Sequence, residues 1–160
     1  MLTATPSSVQ PASASRTWTP PQSAPTHDRS FVHWTLRPTV AAVPNIRARV
    51  RAVLEDWQIA PTLTDMLLLA ISELVSNAVR HAGAVTDRLR TTVTLGGGWL
   101  QLEVADGDPS LPRVCLKAGP EAESGRGLMI IGVLAAELSG EMVAVPRGSG
   151  KVVKVRVPAA

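Results

Sequence analysis

The sequence has a single cysteine, Cys115, and no long hydrophobic run. One cysteine cannot form an internal disulfide, which is typical of proteins in the reducing cytosol. None of the apolar runs approaches the roughly 20 residues that are needed to cross a bilayer. The N-terminus has no basic segment followed by an apolar core, so we expect no secretory signal. These absences favour a cytoplasmic protein that has no membrane partner.

Charge of one sign is only weakly in excess, because the formal net charge is +3. Residues 1–60 carry six basic and three acidic side chains, whereas residues 61–160 carry ten of each. The excess therefore lies mainly in Arg47, Arg49 and Arg51, which on a helix would form a solvated face or a protein-docking patch. Aromatic residues make up 3% of the chain, and no recognition-helix motif accompanies the charge. We therefore expect no direct binding of nucleic acid.

The chain does contain enough apolar residues for one folded domain. Hydrophobic residues make up 45% of it and charged residues 18%, which favours a globular protein. Residues 1–30 are the exception, because they are rich in proline, serine, threonine and alanine and have little apolar periodicity. Such a segment cannot bury enough apolar surface to offset the entropy lost on ordering. We predict a disordered tail at 1–30 and one domain at 31–158.

Apolar periodicity and turn residues predict the secondary structure of this domain. The predicted strands are 31–37, 89–95, 99–105, 141–145 and 152–157. The predicted helices are 42–57, a second that begins after Pro61 and ends before Gly83, and 127–138. Thr62 is the predicted N-cap of the second helix, with Asp65 completing a capping box, and Gly83 is its predicted stop. The order of the elements predicts an α/β two-layer sandwich, with one layer of helices over a mostly antiparallel sheet.

The polar face of the second helix carries Glu73, Asn77 and His81 at positions i, i+4 and i+8. Each step of four residues advances only about 40° around the helix axis, so the three side chains form one stripe. An amide oxygen can ligate Mg²⁺, a carboxylate can accept a proton, and His81 or Arg80 can meet phosphate oxygens. The alternative is an ordinary solvated helix face, and this stripe alone does not decide between them.

Two further segments add to this pattern. Asp106 and Gly107 follow an alternating strand, where a carboxylate can accept a hydrogen bond from an exocyclic amine such as adenine N6. The alternative there is an ordinary Asp-Gly turn. The segment 125–128 has glycines that let backbone N–H groups approach an anion near a helix start. The alternative there is an ordinary glycine-rich start of a helix.

The segments 72–81, 104–108 and 125–128 together resemble, in order and spacing, the N, G1 and G2 boxes of the GHKL (histidine-kinase-like) ATPase superfamily. The chain looks most like the branch of anti-sigma-factor serine/threonine kinases, and the resemblance covers roughly residues 31–158. It implies a Bergerat-type ATP-binding fold, with a mixed, mostly antiparallel sheet covered on one face by three helices. A lid from about 109 to 125 would close over the ATP.

The resemblance also implies a role for individual residues. Glu73 would be the catalytic base or would orient the nucleophile, Asn77 would ligate Mg²⁺, and Asp106 would read the adenine amine. The implied ATP-binding residues are Asn77, Arg80, His81, Asp106, Gly107, Gly125, Arg126, Gly127 and Leu128. Members of the branch phosphorylate a serine of an anti-anti-sigma partner and sequester a sigma factor. A homodimer is compatible with the sequence, with the first strand and the arginine helix as candidate surfaces for a copy or for a sigma factor.

The chain departs from the family pattern at the adenine end. The G1 box usually reads Asp-x-Gly-x-Gly, whereas here Asp108 and Pro109 follow Gly107. Relatives often place a hydroxyl residue after Gly-Lys near the C-terminus, where this chain has Val152. We therefore expect one hydrogen bond near the adenine to be missing or to be made through water.

Other functions are compatible with parts of the sequence. The main alternative is a non-catalytic nucleotide-binding module that acts only by sequestering a partner. A sensor histidine kinase is disfavoured, because His27 lies in the predicted tail and His33 in a predicted strand. A hydrolase with Cys115 or Ser124 as nucleophile lacks a suitably placed base in any motif.

Overall fold

Five antiparallel strands form one sheet in the order β1-β2-β3-β5-β4. The computed structural model describes residues 29–112 and 123–159. The strands are β1 (Ser30–Leu36), β2 (Leu89–Gly96), β3 (Trp99–Asp106), β4 (Glu141–Arg147) and β5 (Gly150–Pro158). The helices are α1 (Ala42–Asp56), α2 (Pro61–Asn77) and α3 (Glu123–Glu137), and a π-helical turn at Ala78–Ala82 continues α2. The predicted order of elements and the α/β sandwich are confirmed, and β1 lies at an edge.

Alternating side chains give the sheet one buried and one open face. In β3, Leu100, Leu102 and Val104 are buried, whereas Gln101 and Glu103 are only half-buried. The inward residues of β3 lie opposite inward residues of β5, and these pairs are Leu100 with Val157, Leu102 with Val155, and Val104 with Val153. Successive side chains of a strand point to opposite faces, so this register places one continuous apolar surface under the helices.

Helix α2 is the central helix of the core. Its predicted apolar stripe is confirmed, because Leu67, Ile71, Leu74, Val75 and Ala78 are all buried. The segment Pro61–Ala82 is long and apolar enough to span a membrane by length and composition alone, with a mean hydropathy of 1.3. More than half of its apolar window is buried inside the domain, as expected for the core helix of a folded protein.

Helix α1 is attached to α2 by an arginine that the sequence analysis placed on a solvated face. Arg47 is half-buried, and its Nη1 donates to the Leu68 carbonyl oxygen at 3.0 Å and to Ser72 Oγ at 2.8 Å. Hydrogen bonds from a charged donor are stronger than those between neutral groups. Arg47 therefore fixes α1 to the turn of α2 that precedes Glu73, while Arg49 and Arg51 are exposed as predicted.

The start of α2 differs from its prediction. The N-cap is Ala60 and Pro61 occupies the first turn, without any capping hydrogen bond from a side chain. Thr62 is therefore not the cap. Proline at the first helical position has its φ already set and lacks the N–H that would need a partner, so this helix starts well without the predicted capping box.

The two hairpins are confirmed, and the second is tighter than predicted. Gly97 and Gly98, with φ of +61° and +80°, connect β2 to β3, and Gly148 and Ser149 connect β4 to β5. Helix α3 begins at Glu123, four residues before the predicted start at Gly127. The predicted tail, apart from residues 29 and 30, and the part of the predicted lid at 113–122 lie outside the described residues.

Candidate nucleotide site

Glu73 and Asn77 lie one helical turn apart near the end of α2, and both are half-buried. The Glu73 carboxylate packs directly against the Cα of Gly127 in α3. A Cβ atom added at position 127 would overlap this carboxylate. Glycine at 127 is therefore required for the carboxylate to occupy its present place. The contact brings the first and the third sequence motif together.

Asn77 has an incomplete set of hydrogen bonds. Its Oδ1 accepts a hydrogen bond from Arg80 Nη2 at 3.0 Å, whereas its Nδ2 is buried and has no partner within the described residues. An unpaired buried donor costs about 1–3 kcal/mol, and such groups are uncommon in folded proteins. The two ends of an amide exchange places by rotation about one bond, so this side chain can present an oxygen or an N–H to a ligand.

The π-helical turn Ala78–Ala82 directly follows Asn77. Such turns bond residue i to i+5, are wider than α-helical turns and occur often at functional sites. The stripe predicted from a regular helix therefore does not continue beyond Asn77. Arg80 contacts Asn77, and His81 is exposed on the wide turn. The role of His81 at the phosphates remains a prediction.

The first residues of α3 form the side of the site opposite to α2. Arg126 is exposed, Gly127 is half-buried, and the Leu128 side chain lies in the core. The first N–H groups of an α-helix have no partner within the helix, and in a helix that begins at Glu123 these include the N–H of Gly125. The N–H groups further along belong to the helical ladder. In this conformation an anion would therefore meet residues 123–125 first.

Asp106 ends β3 at the other end of the site. Its side chain is only 6% exposed, and its Oδ1 accepts hydrogen bonds from the Asp108 N–H at 2.9 Å and from Lys151 Nζ at 3.1 Å. Lys151 lies directly opposite Asp106 in the β3–β5 register. The carboxylate that the resemblance assigns to the adenine is thus held by a lysine that the sequence analysis gave no role.

Gly107 connects Asp106 to the segment that follows the π-helical turn. Its N–H donates to the buried Thr86 Oγ1 at 2.9 Å, and a Cβ atom here would lie 2.6 Å from the Val85 carbonyl oxygen. Only glycine permits this close approach of two backbone segments. The second motif is therefore fixed to the continuation of the helix that carries the first.

Val152 does not face Asp106. It lies opposite Ala105, which belongs to the outward row of β3, whereas Lys151 lies opposite Asp106 in the inward row. A hydroxyl residue at 152 would therefore not reach the carboxylate. The expected lack of one hydrogen bond to the adenine stays a prediction. The ion pair of Lys151 with Asp106 is a separate feature, which the alternation of Val153, Val155 and Val157 could have placed inward.

Asp108 is the third charged residue at this end of the site, beside Asp106 and Lys151. Its Oδ1 accepts the Ser110 N–H at 2.9 Å. The hydrogen bonds from the Ser110 backbone and side chain, followed by the charge of Lys151, hold the pKa of Asp108 below its usual value of 3.8. Asp108 is therefore ionised at neutral pH.

The donors near Asn77 fit a cation that arrives with its substrate. Within the described ranges, 29–112 and 123–159, there is no group of three His, Cys, Asp or Glu side chains that could hold a metal ion by itself. Mg²⁺ usually keeps several waters and is bound through one or two protein oxygens and substrate phosphates. Rotation of the Asn77 amide would bring its oxygen to the position of the unpaired Nδ2, one helical turn from Glu73, which is compatible with that mode of binding.

The family of the chain follows from comparison with known proteins. A model of the histidine kinase-like ATPase domain matches residues 36–157. The RsbU and RsbW domains of Rv1364c from Mycobacterium tuberculosis have a similar fold, with a TM-score of 0.58 and 22% identity over 81% of this chain and 32% of that chain. The blue-light activated histidine kinase of Erythrobacter litoralis EL346 gives a TM-score of 0.50 and 20% identity over 70% of this chain and 40% of its own.

The chain thus spans less than half of the length of either structure. No curated protein sequence matches it significantly. Similarity to solved structures at these identities shows a shared fold, while the family model covers most of the sequence and includes all three motifs. The chain belongs to the histidine kinase-like ATPase domain family, and this membership implies that it binds ATP.

Proposed function

We propose that this protein binds Mg·ATP between α2 and the start of α3 and transfers the γ-phosphate to a serine of a partner protein. The observation that carries the proposal is the position of Glu73. Its carboxylate packs against Gly127 and lies one helical turn from the buried, incompletely bonded amide of Asn77. Structural helix faces rarely combine a half-buried carboxylate with an unsatisfied amide, because both groups lose hydration on burial.

Each residue has a role in this proposal. Asn77 supplies an oxygen to Mg²⁺, which offsets the charge of the phosphates when it is bound. Arg80 and the exposed Arg126 supply positive charge close to the same place. The serine hydroxyl oxygen forms a bond to the γ-phosphorus while the bond from that phosphorus to the β,γ-bridging oxygen breaks and ADP leaves. Glu73 accepts the hydroxyl proton.

The proposed partners come from the resemblance to the anti-sigma-factor kinases. An antagonist of the anti-sigma factor would provide the serine, and a sigma factor would be sequestered in the cytoplasm. The RsbW domain among the similar structures shares the fold and is compatible with this proposal. The exposed arginines Arg49 and Arg51 on α1 and the edge strand β1 are the proposed surfaces for the sigma factor or for a second copy of the chain.

A second candidate function is nucleotide-gated sequestration without catalysis. It is favoured by two contacts that occupy the predicted ligand atoms, namely Arg80 on Asn77 Oδ1 and Lys151 on Asp106 Oδ1. A site that only holds nucleotide does not need a base. Under this alternative, Glu73 would contribute to packing against Gly127 and not to a reaction.

Calorimetric titration of ATP with and without Mg²⁺ tests the site. We expect binding that requires Mg²⁺, and we expect Asn77→Ala to weaken it at least about 100-fold, because a metal ligand and a buried hydrogen-bonding group are both lost. The matched control is Asn45→Ala, an exposed asparagine on α1. Wild-type affinity in Asn77→Ala would exclude the proposed site.

Transfer of radioactive phosphate distinguishes the two functions. Affinity purification with and without ATP first identifies the partner and shows whether the nucleotide controls its binding. We then expect Glu73→Gln to keep ATP affinity within about threefold and to lower transfer at least about 100-fold, as is typical for loss of a general base. The exposed Glu137→Gln serves as the control. A wild-type protein that binds both ATP and its partner but transfers no phosphate would support the second function.

A further inference from the structure

Lys151 is a buried lysine whose ammonium group contacts only the G1 segment among the described residues. The residue is 9% exposed. Its Nζ donates to Asp106 Oδ1 at 3.1 Å and to the Asp108 carbonyl oxygen at 3.1 Å, and it lies 3.5 Å from Asp108 Oδ2. An ammonium group has three donors, and two of them make hydrogen bonds to the G1 segment, while the Asp108 carboxylate adds an ion pair. This ammonium is therefore directed at the G1 segment.

The contact leaves Asp106 with one available oxygen. Oδ1 accepts two hydrogen bonds, from the Asp108 N–H and from Lys151 Nζ. In the described part of the chain, Oδ2 is the carboxylate oxygen without a hydrogen-bond partner. Because the other oxygen is fixed from two sides, the direction in which Oδ2 can accept a hydrogen bond is also fixed.

A second ion pair joins the same two strands and provides a direct comparison. Lys154 lies opposite Glu103 in the same register, on the outer face of the sheet, with Nζ 3.0 Å from Oε1. The Lys154 side chain is 38% exposed, against 10% for Lys151. An exposed pair of this kind contributes little to stability, whereas a buried pair orders its surroundings and is costly to break.

We infer that Lys151 is the positioning residue for recognition of the nucleotide base, an inference that rests on the ATP site proposed above. By holding Oδ1, Lys151 leaves Asp106 Oδ2 as the single acceptor for an exocyclic amine. A purine with a keto oxygen at position 6 would place one acceptor against another. The ammonium does not correct this mismatch while it donates to Asp106 Oδ1 and to the Asp108 carbonyl oxygen. Lys151 thereby makes the site selective for 6-amino over 6-keto purines.

The test is the ratio of two affinities, those for ATP and for inosine triphosphate, which has a 6-keto group in place of the amine. We expect the wild-type protein to prefer ATP at least about tenfold, since a hydrogen bond to a charged group supplies about 1.5–3 kcal/mol. We expect Lys151→Met to lower this preference to about threefold or less. Lys154→Met, which removes the exposed lysine of the same strand, should leave the ratio unchanged.

The double variant Lys151→Met with Asp108→Asn keeps the net charge of the group and allows the test if the single variant does not fold. A preference for ATP that is unchanged in either folded variant would overturn the inference, and so would a wild-type protein that binds both nucleotides equally. Failure of both variants to fold would assign the pair to stability alone and would also overturn it. Wild-type ATP affinity in Asn77→Ala is a separate outcome, which would exclude the site itself.

Discussion

The two ends of the proposed site differ in how completely their polar groups are hydrogen-bonded. At the base end, Asp106 and Lys151 form a buried ion pair, and the Gly107 N–H donates a hydrogen bond to Thr86 Oγ1. At the phosphate end, the Asn77 amide keeps an unpaired buried donor beside an exposed arginine. The comparison suggests that the base end is already in its binding arrangement. Under the proposed function, the Asn77 amide at the phosphate end would gain its missing partner from bound Mg·ATP.

Removing the buried lysine should have the largest effect on folding, because it breaks the base end. We expect Lys151→Met to lower the free energy of unfolding by about 3–5 kcal/mol, since the buried Asp106 carboxylate then loses its counter-ion. Lys154→Met should lower it by about 0–1 kcal/mol, because that pair is exposed. Urea unfolding followed by circular dichroism measures both. Equal losses in the free energy of unfolding for the two substitutions would show that the buried pair contributes no more to stability than the exposed pair.

A methyl group at position 127 should break the phosphate end with a smaller effect on folding. We expect Gly127→Ala to displace the Glu73 carboxylate but to change the free energy of unfolding by no more than about 1 kcal/mol, because the end of the Glu73 side chain can move aside and alanine favours a helix over glycine. ATP affinity should fall as well. Thermal unfolding and calorimetric titration check the two effects.

Gly132→Ala is the matched control in the same helix. The added Cβ atom would lie 3.6 Å from Met142 Cε, an ordinary contact. Alanine favours a helix over glycine by about 1 kcal/mol, so this substitution should be neutral or stabilising. A similar loss in both variants would mean that α3 rejects alanine for reasons unrelated to Glu73.

Titration of Asp108 should give the smallest effect and would sharpen the comparison. Because hydrogen bonds from Ser110 and the charge of Lys151 hold its pKa below 3.8, the carboxylate favours folding above that value, and this contribution is lost as the pH falls through the lower folded pKa. Carbon-detected nuclear magnetic resonance should therefore show Asp108 titrating below pH 3.8. In Ser110→Gly we expect its pKa to shift upward only slightly, because the backbone N–H remains. A titration midpoint of Asp108 above pH 3.8 in the wild-type protein would contradict the hydrogen bonds from Ser110 and the ion pair with Lys151.

The sequence predicted those parts of the structure that depend on regular periodicity. The stripe Leu67, Ile71, Leu74 and Val75 and the alternation in β3 repeat over several turns or pleats, so they determined the type and the buried face of each element. The glycine turn between β2 and β3 was found for the same reason. Local steric preference there agrees with the long-range pairing of the strands.

Features that depend on contacts between distant segments were missed or misplaced. The register of β3 with β5 is not evident from the sequence. The position near Asp106 was therefore assigned to Val152, whereas Lys151 occupies it. The arginines of α1 look alike in sequence, yet only packing against α2 decides that Arg47 is half-buried. The π-helical turn interrupts the regular spacing on which the position of His81 was based. In each of these places tertiary structure overrides a local pattern.

Arg47 connects helix α1 to the turn of α2 that precedes the proposed base, Glu73. It joins α1 to the Leu68 carbonyl and the Ser72 hydroxyl, and Ser72 directly precedes Glu73. The same helix presents Arg49 and Arg51 to solvent. An acidic protein that bound those two arginines and displaced α1 would pull on the turn that orients the carboxylate. Binding to α1 would then change the proposed phosphate transfer without any contact to the nucleotide.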